Sequence, residues 1–275
     1  MTRPQVTRSL ALAICCVATF GTIASSQHPR GDDAVPPTAE SLLRTAFANR
    51  YEVDLTSNIE LLMKDGSGQE RRRLFRAASK VIDGRIHSVG RLVWPHYLRG
   101  MTILTIEARD RAYDAFVYLP SLDKVRRVTT AQRWDAFLGS DVTYEDLERR
   151  RVEEYEVTSI ETRNVAGESV YLIRARSRRD FSYSEVLFVI AQSDAAILEV
   201  RYFKEGESEP YRAVSAPRRF MVERDGHVLP TRMTVHNYVR GTTTEVTFEN
   251  LKVNPPIDDS VFSLVTLEQE RKLPD

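Results

Sequence analysis

The chain has 275 residues, and 39 Lys and Arg residues are balanced by 39 Asp and Glu residues, so its formal net charge at pH 7 is zero. This balance excludes binding of nucleic acid or of an anionic membrane through overall charge alone. All-β barrels and sandwiches of roughly 200–250 residues commonly fold as one unit, so we expect a single folded domain. Most of the basic residues are Arg, which predicts ion-pair networks with carboxylates on the surface.

The N-terminus has the features of a secretory signal peptide. Arg3 and Arg8 precede an apolar run over residues 10–23, and small residues suited to a signal peptidase follow it. The run is shorter than the about 20 residues of a membrane span, which favours cleavage over an uncleaved anchor helix. Both cysteines lie within the run, so the mature chain is predicted to contain no thiol. The predicted organisation is a signal peptide (1–26), a flexible leader (27–37) and one domain (38–275).

After the leader, the sequence predicts one helix followed by many short strands. Thr38 can cap a helix whose apolar residues recur at helical spacing up to Phe47. Turn compositions at 65–68, 83–84 and 164–167 then separate neighbouring strands. Later strands are predicted over residues 183–191, 197–203, 211–222, 227–239 and 242–253, with Pro217 at an edge or a bulge. The pattern predicts a mainly β (α+β) fold, a large curved antiparallel sheet with a few helices on its concave face.

The segment from 111 to 150 joins a strand pattern to a group of aromatic and acidic residues. Tyr113, Ala115 and Val117 share one side of a two-residue period, and Pro120 suits the turn of a hairpin.

Beyond this hairpin the spacing of the apolar residues becomes helical. Trp134 and Phe137 begin the run, and residues 141–151 are predicted to form a short helix that Thr143 and Asp146 cap. The segment contains no set of catalytic groups, which indicates binding rather than reaction.

No catalytic or metal-binding constellation is found elsewhere. Glu145 and Asp146 would point about 100° apart on a helix, too divergent for a carboxylate pair. Ser140 lacks the flanking glycines of a nucleophile elbow, which leaves little support for a hydrolase. The five histidines are scattered singly, and we expect His87 and His236 to be hydrogen-bonded residues of strands. We therefore expect no enzyme activity, no metal and no cofactor.

Three stretches resemble the LolA-like group of bacterial envelope proteins, relatives of the outer-membrane lipoprotein-sorting carriers. They are LPSLDKVRRV at 119–128, FLGSDVTYEDL at 137–147 and TEVTFENLKVNPPIDDSVFSL at 244–264. The resemblance implies an incomplete barrel with helices on its concave side. It also implies a monomeric periplasmic carrier of lipid or lipoprotein acyl chains. Its implied partners are an inner-membrane transporter of the resistance-nodulation-division (RND) type and an outer-membrane acceptor.

The residues predicted to bind the acyl chains are large side chains from several strands and from the aromatic segment. Two arginines of the LPSLDKVRRV stretch are added as receptors for a ligand carboxylate or phosphate. The predicted site comprises Met63, Phe75, Trp94, Met101, Ile103, Phe116, Tyr118, Arg126, Arg127, Trp134 and Phe137.

Two alternatives remain open at this point. Each apolar residue of the predicted site can instead belong to an ordinary core. The same fold can also serve as an envelope sensing or interaction module whose interior is filled by its own side chains. The basic runs at 71–73, 149–151 and 174–179 have acidic neighbours, and we expect them to form solvated faces of mixed charge.

Overall fold

The computed structural model describes residues 37–108 and 113–268. The predicted signal peptide, and the leader up to residue 36, lie outside the described residues. Helix α1 spans Ala39–Tyr51, and the Thr38 side chain caps it by accepting a hydrogen bond from the Ser41 backbone N–H at 3.2 Å. The predicted first helix and its cap are therefore confirmed.

Fifteen strands and one further short helix follow α1 in the described residues. The strands are β1 (Leu55–Lys64), β2 (Glu70–Ile82), β3 (Arg85–Trp94), β4 (Thr102–Glu107), β5 (Tyr113–Leu119), β6 (Lys124–Val128), β7 (Tyr155–Val165), β8 (Glu168–Ser177), β9 (Glu185–Ala191), β10 (Ile197–Phe203), β11 (Arg212–Ser215), β12 (Met221–Arg224), β13 (His227–Pro230), β14 (Arg232–Asn237) and β15 (Thr242–Val253). The second helix, α2, spans Leu264–Glu268.

Thirteen of these strands form one antiparallel sheet, in the order β6-β5-β4-β3-β2-β1-β15-β14-β11-β10-β9-β8-β7. Among the described residues, β1 and β15 are the first and last strands, and they pair in the middle of the sheet, whereas β6 and β7 are its two edges. Because β6 and β7 do not pair with each other, the sheet stays open. The predicted large antiparallel sheet forming an incomplete barrel is confirmed. The strands β12 and β13 form a separate hairpin.

Three local predictions are wrong. The predicted strand 227–239 is divided at Thr231 into β13, which pairs with β12, and β14, which pairs with β11 and β15. The predicted strand 211–222 is interrupted after Ser215, because Pro217 has no N–H for the ladder and leads into a 3-10 turn at Arg218–Phe220. The predicted helix 141–151 is reduced to a 3-10 turn at Tyr144–Leu147. Its expected cap is present, since the Thr143 hydroxyl and backbone N–H both donate to the Asp146 carboxylate.

Alternate residues of the strands β2–β5 lie on opposite faces of the sheet and enter different apolar clusters. On β4, Ile103 packs with Phe75 and Phe137, whereas the adjacent Leu104 packs with Phe262 and Leu267 from the C-terminal segment. We call these the cavity face and the opposite face. Residues 257–267, including most of α2, cover the opposite face, so only α1 follows the predicted placement of helices on the concave side.

The apolar side of α1 covers the other half of the sheet. Its buried residues Leu43 and Phe47 pack with residues of β8, β9 and β10, including Ile173, Phe188 and Val200. Within the described part of the chain, no helix is both long enough and apolar enough to cross a membrane.

Candidate functional site

The connection between the two edge strands, residues 129–154, passes over the cavity face of the sheet, and we call it the crossover segment. Phe137 stacks on Phe75 of β2, with ring centroids 5.8 Å apart. Asp141 accepts a hydrogen bond from the Thr244 hydroxyl of β15 at 2.9 Å. These contacts hold the segment across the middle of the sheet.

A cavity of about 330 Å³ lies between the sheet, α1 and the crossover segment. This volume is within the range of about 300–1,000 Å³ that is usual for small-molecule sites. Small side chains on the central strands leave this space, among them Ser57, Ala77 and Gly90. A methyl group added at Gly90 would meet its nearest neighbour, the Phe75 ring, at 3.9 Å, which is ordinary contact. The cavity therefore has room beside its walls.

The polarity of the cavity changes along the strands. Ser79, Ser88 and Thr105 lie opposite one another on β2, β3 and β4, and the Ser88 hydroxyl donates to that of Ser79 at 3.1 Å. Four residues before Ser79 on the same face, Phe75 lies beside Leu61 and Ile103 in an apolar cluster. The cavity therefore has a hydroxyl-lined end and an apolar end.

Four charged side chains are among the residues that line the cavity, Arg50, Asp146, Arg150 and Arg212. Arg212 and Asp146 pair through two hydrogen bonds, one of them 3.0 Å long from Nη1 to Oδ1. Burial alone raises the pKa of Asp146, but the charge of Arg212 and its hydrogen bonds outweigh burial and hold the pKa below its usual range. This pair is neutral overall.

Arg150 lacks such a partner. Its side chain is buried, with a relative exposure of 6 %, and Nη1 donates only to the Glu148 backbone oxygen at 3.3 Å. Its guanidinium carbon lies 4.8 Å from the ring centroid of Phe181. Among residues 37–108 and 113–268, no carboxylate lies within 4.0 Å of the Arg150 side-chain nitrogens. Arg150 is therefore a buried cation without a carboxylate partner at the wall of the cavity.

The two residues next to Arg150 share the carboxylate of Glu107, and Arg149 also pairs with Glu52 at 3.3 Å. Arg149 donates to Oε2 of Glu107 at 2.7 Å, and Arg151 donates to Oε1 of the same side chain. Glu107 also accepts from the Ile86 backbone N–H at 3.0 Å. Burial raises the pKa of Glu107, but the bond from Arg151 and the other contacts outweigh it and lower the pKa.

Further ion pairs fix the remainder of the crossover segment. Arg133 donates to both oxygens of Glu148 at 2.6 Å. Glu145 accepts from the Ser182 hydroxyl at 2.6 Å, and burial raises its pKa. The expectation that the basic run 149–151 forms a solvated face is wrong. Arg149 and Arg150 are buried, and their side chains lie between the crossover segment and the rest of the protein.

The structure brings three residues of the predicted site together at the cavity. Phe75, Ile103 and Phe137 all line it. Met63 and Met101 lie in the buried packing of the same half of the sheet but are not among the residues lining the cavity.

The other predicted site residues lie elsewhere. Phe116 and Tyr118 alternate with the cavity-face residue Val117 and therefore point to the opposite face, under the C-terminal segment. The two tryptophans, Trp94 and Trp134, are about half exposed.

The two arginines chosen as anion receptors are also remote from the cavity. Arg126 and Arg127 are exposed on the edge strand β6, where Arg127 pairs with Asp114. Phe116 and Tyr118 are kept from the cavity by the alternation of side chains along β5, and the two arginines by the edge position of β6. Neither feature can be recognised from residue type alone.

His87 also differs from expectation. It is buried on the opposite face, yet neither of its ring nitrogens has a hydrogen-bond partner. Among the residues that the structure describes, no group of three or more His, Cys, Asp or Glu side chains is arranged to hold a metal ion.

The sequence analysis missed the polar residues of the cavity. Residues 149, 150 and 151 are all arginines, so the sequence does not show which of them lacks an ion pair. Only the fold shows that Arg149 and Arg151 pair with Glu107 and that Arg150 does not. Tyr155 and Tyr202 also line the cavity, and burial raises the pKa of each hydroxyl, so both are neutral at ordinary pH.

Comparisons with known proteins agree with this architecture. A model of a family described as uncharacterized protein matches residues 87–269. No curated protein matches the chain. A domain described as an outer membrane lipoprotein-sorting protein, from Vibrio parahaemolyticus, is 18% identical with a TM-score of 0.76, covering 83% of this chain and 97% of its own.

Two further solved structures are similar. A DUF1329 family protein from Desulfovibrio piger is 23% identical with a TM-score of 0.73, covering 78% of this chain and 91% of its own. A LolA superfamily protein from Nitrosomonas europaea is 18% identical with a TM-score of 0.66, covering 84% of this chain and 99% of its own. These likenesses show that the chain has a LolA-like fold.

Proposed function

This chain belongs to the family of uncharacterized proteins whose model matches residues 87–269, and we propose that it is a carrier that shelters the acyl chains of a lipid or lipoprotein in its half-barrel cavity. The observation that carries the proposal is the cavity of about 330 Å³ between the open sheet and the crossover segment. Each methylene group that moves from water into such an apolar space gains about 0.8 kcal/mol.

The walls of the cavity suit a hydrocarbon guest. Its apolar end is formed by Leu61, Phe75 and Ile103, side chains that already pack among themselves. The small residues Ala77 and Gly90 leave the space in which a chain would lie. This apolar end of the cavity offers a hydrocarbon guest a wall without polar groups.

In this proposal, ion pairs and hydrogen bonds of charged side chains hold the crossover segment over the cavity. Glu107, Glu148 and Asp146 are each engaged by at least one arginine. Their consistent use in ion pairs favours a carrier that binds its cargo without bond chemistry. Glu145, whose pKa is raised by burial, accepts hydrogen bonds from the Ser182 hydroxyl and backbone N–H.

The LolA-like fold and the predicted signal peptide support the setting that we propose for the carrier. We place it in the periplasm as a monomer, in lipoprotein sorting or lipid transport. An inner-membrane transporter of the RND type and an outer-membrane acceptor are its proposed partners. Because burial of long chains is strongly favourable, release needs coupling to such a partner.

The test is to measure bound lipid and probe uptake on the same protein. Gently purified protein, extracted and analysed by mass spectrometry, is expected to release about one lipid per chain. Delipidated protein is expected to bind the neutral apolar dye N-phenyl-1-naphthylamine with a single-site isotherm. Ala77→Leu places a larger side chain in the cavity, in space that the dye would occupy. We expect it to weaken dye binding at least about tenfold, because the dye then buries less apolar surface.

The matched control is Ala131→Leu, the same substitution at an exposed turn away from the cavity. It should leave dye binding unchanged. Protein that releases no lipid and takes up no dye would contradict the carrier and favour an interaction module of the same fold.

A further inference from the structure

We propose that Arg150 binds the anionic head group of the cargo, so that the carrier selects amphiphiles with a carboxylate or phosphate head over neutral ones. This inference rests on the proposed carrier function and specifies its substrate class. Its basis is the contrast between Arg150 and the paired arginines around it.

A buried guanidinium without a carboxylate is costly, because its charge loses water without gaining a counter-ion. Arg149, Arg151 and Arg212 each meet this requirement with Glu107 or Asp146. Arg150 has only a long bond to a backbone oxygen and the face of an aromatic ring. The remaining N–H groups of its planar fork match the two oxygens of a carboxylate or phosphate.

The cavity wall as a whole carries an excess of positive charge. Of its four charged residues, Asp146 and Arg212 neutralise each other, which leaves Arg50 and Arg150. Arg50 donates from Nη2 to the Met233 sulfur at 3.1 Å, a weak contact, and its guanidinium carbon lies 5.7 Å from the Tyr51 ring centroid. Among the described residues, neither of the two remaining arginines has an ion pair. An anion in the cavity would therefore meet an excess of positive charge on its wall.

Neutral hydroxyl groups accompany this charge. Tyr202 lines the cavity and is buried. Burial raises the pKa of Tyr202, so its hydroxyl is a proton donor and not a competing anion.

The contacts of Arg150 also suggest how the bound chain would lie. Its guanidinium packs on Phe181, which belongs to the apolar cluster under α1. Phe75 and Ile103 belong to a different apolar cluster that borders the same cavity. A head group bound at Arg150 would leave its hydrocarbon tail to extend through the cavity toward Phe75 and Ile103.

The experiment displaces N-phenyl-1-naphthylamine from the delipidated full protein with four twelve-carbon competitors at pH 8. The competitors are dodecanoate, dodecyl phosphate, dodecanol and dodecylamine. Both anions are expected to compete at least about tenfold more strongly than dodecanol, since a hydrogen bond to a charged group contributes about 1.5–3 kcal/mol. Dodecylamine should compete least. The stronger of the two anions identifies whether the head group is a carboxylate or a phosphate.

Arg150→Met is expected to remove the preference for anions and to leave dodecanol binding unchanged. Arg150→Lys should keep part of the preference, and the exposed control Arg126→Met should keep all of it. Because Arg150→Met removes a buried charge that has no ion pair, the thermal midpoint of the empty variant should be equal or higher. A lower midpoint with intact anion preference would show that Arg150 only supports Phe181, and the inference would be overturned.

The two proposals fail in different ways. If wild-type protein binds dodecanol and dodecanoate equally well, the anion site is wrong and the carrier stands. If no competitor and no dye bind to the folded protein, the carrier itself is wrong.

Discussion

The two faces of the strands β2–β5 each carry an apolar cluster, yet the protein fills only one of the two faces completely with its own side chains. On the opposite face, Phe262 and Leu267 from the C-terminal segment fill the cluster around Leu104. On the cavity face, the crossover segment spans the sheet but leaves a hollow of about 330 Å³. The segment that covers each face, and not the hydrophobicity of the strands, therefore determines whether the face becomes part of a filled core or the wall of a cavity.

The largest expected effect concerns the anchor of the crossover segment. Glu107→Gln would leave Arg149 and Arg151 without their shared carboxylate, and we expect a loss of about 3–5 kcal/mol in the free energy of unfolding. Urea unfolding followed by circular dichroism measures it. The control Glu161→Gln breaks an exposed pair with Arg163 and should cost less than about 1 kcal/mol. Equal effects of the two variants would mean that the network does not hold the cover in place.

The second prediction compares adjacent residues on the two faces. Leu104→Ala should cost about 4 kcal/mol, because it opens a cavity in the filled cluster. Ile103→Ala should cost only about 2 kcal/mol, because Ile103 already borders empty space and has fewer contacts to lose. Urea unfolding of both variants checks the difference. A larger cost at Ile103 would indicate that the cavity face is packed as tightly as the opposite one.

The smallest expected effect is a pH dependence on the filled face. His87 lies 6.1 Å from the Phe262 ring and has no hydrogen-bond partner, and burial, followed by the charge of Arg85, lowers its pKa. In the unfolded chain the His87 imidazole is protonated as the pH falls through about 6.5, whereas in the folded chain protonation requires a lower pH. Stability from His87 is therefore complete above about pH 6.5 and declines as the pH falls below it, by at most about 1.4 kcal/mol per pH unit.

Thermal unfolding between pH 7.5 and 5 measures this decline. The variant His87→Leu should show a shallower decline than the wild type over the same range. An identical decline in both proteins would assign the pH dependence to other groups.

Much of the fold is readable from local sequence signals. Thr38 and the apolar spacing up to Phe47 predict α1, and the turn compositions at 83–84 and 164–167 place two hairpins that the structure contains. These features depend on backbone preferences over a few residues. The same local reasoning fails for residues 141–151, because Asp146 and its neighbours bind distant groups such as Arg212 instead of continuing a helix.

The site is less predictable, because it depends on which face each strand presents and on what covers that face. Val117 and Phe116 are consecutive and similar in character, yet they belong to different clusters. A shift of one residue in register exchanges the two faces of a strand. Arg150 poses the same problem in a stronger form, since three successive arginines differ only in the partners that the fold brings to them.

The pairing of β1 with β15 has a consequence for how the chain reaches its final form. Leu55 lies opposite Val253, and 198 residues separate them along the chain (253 − 55). Such distant pairings are slow to form, because a long loop must close before any contact rewards it. The strands β1–β6 can pair with one another as they leave the ribosome or the export channel. The pairing of β1 with β15 can form only after β15 has emerged. Until then β1 exposes an unpaired edge, and we expect a chaperone to be needed most during this interval.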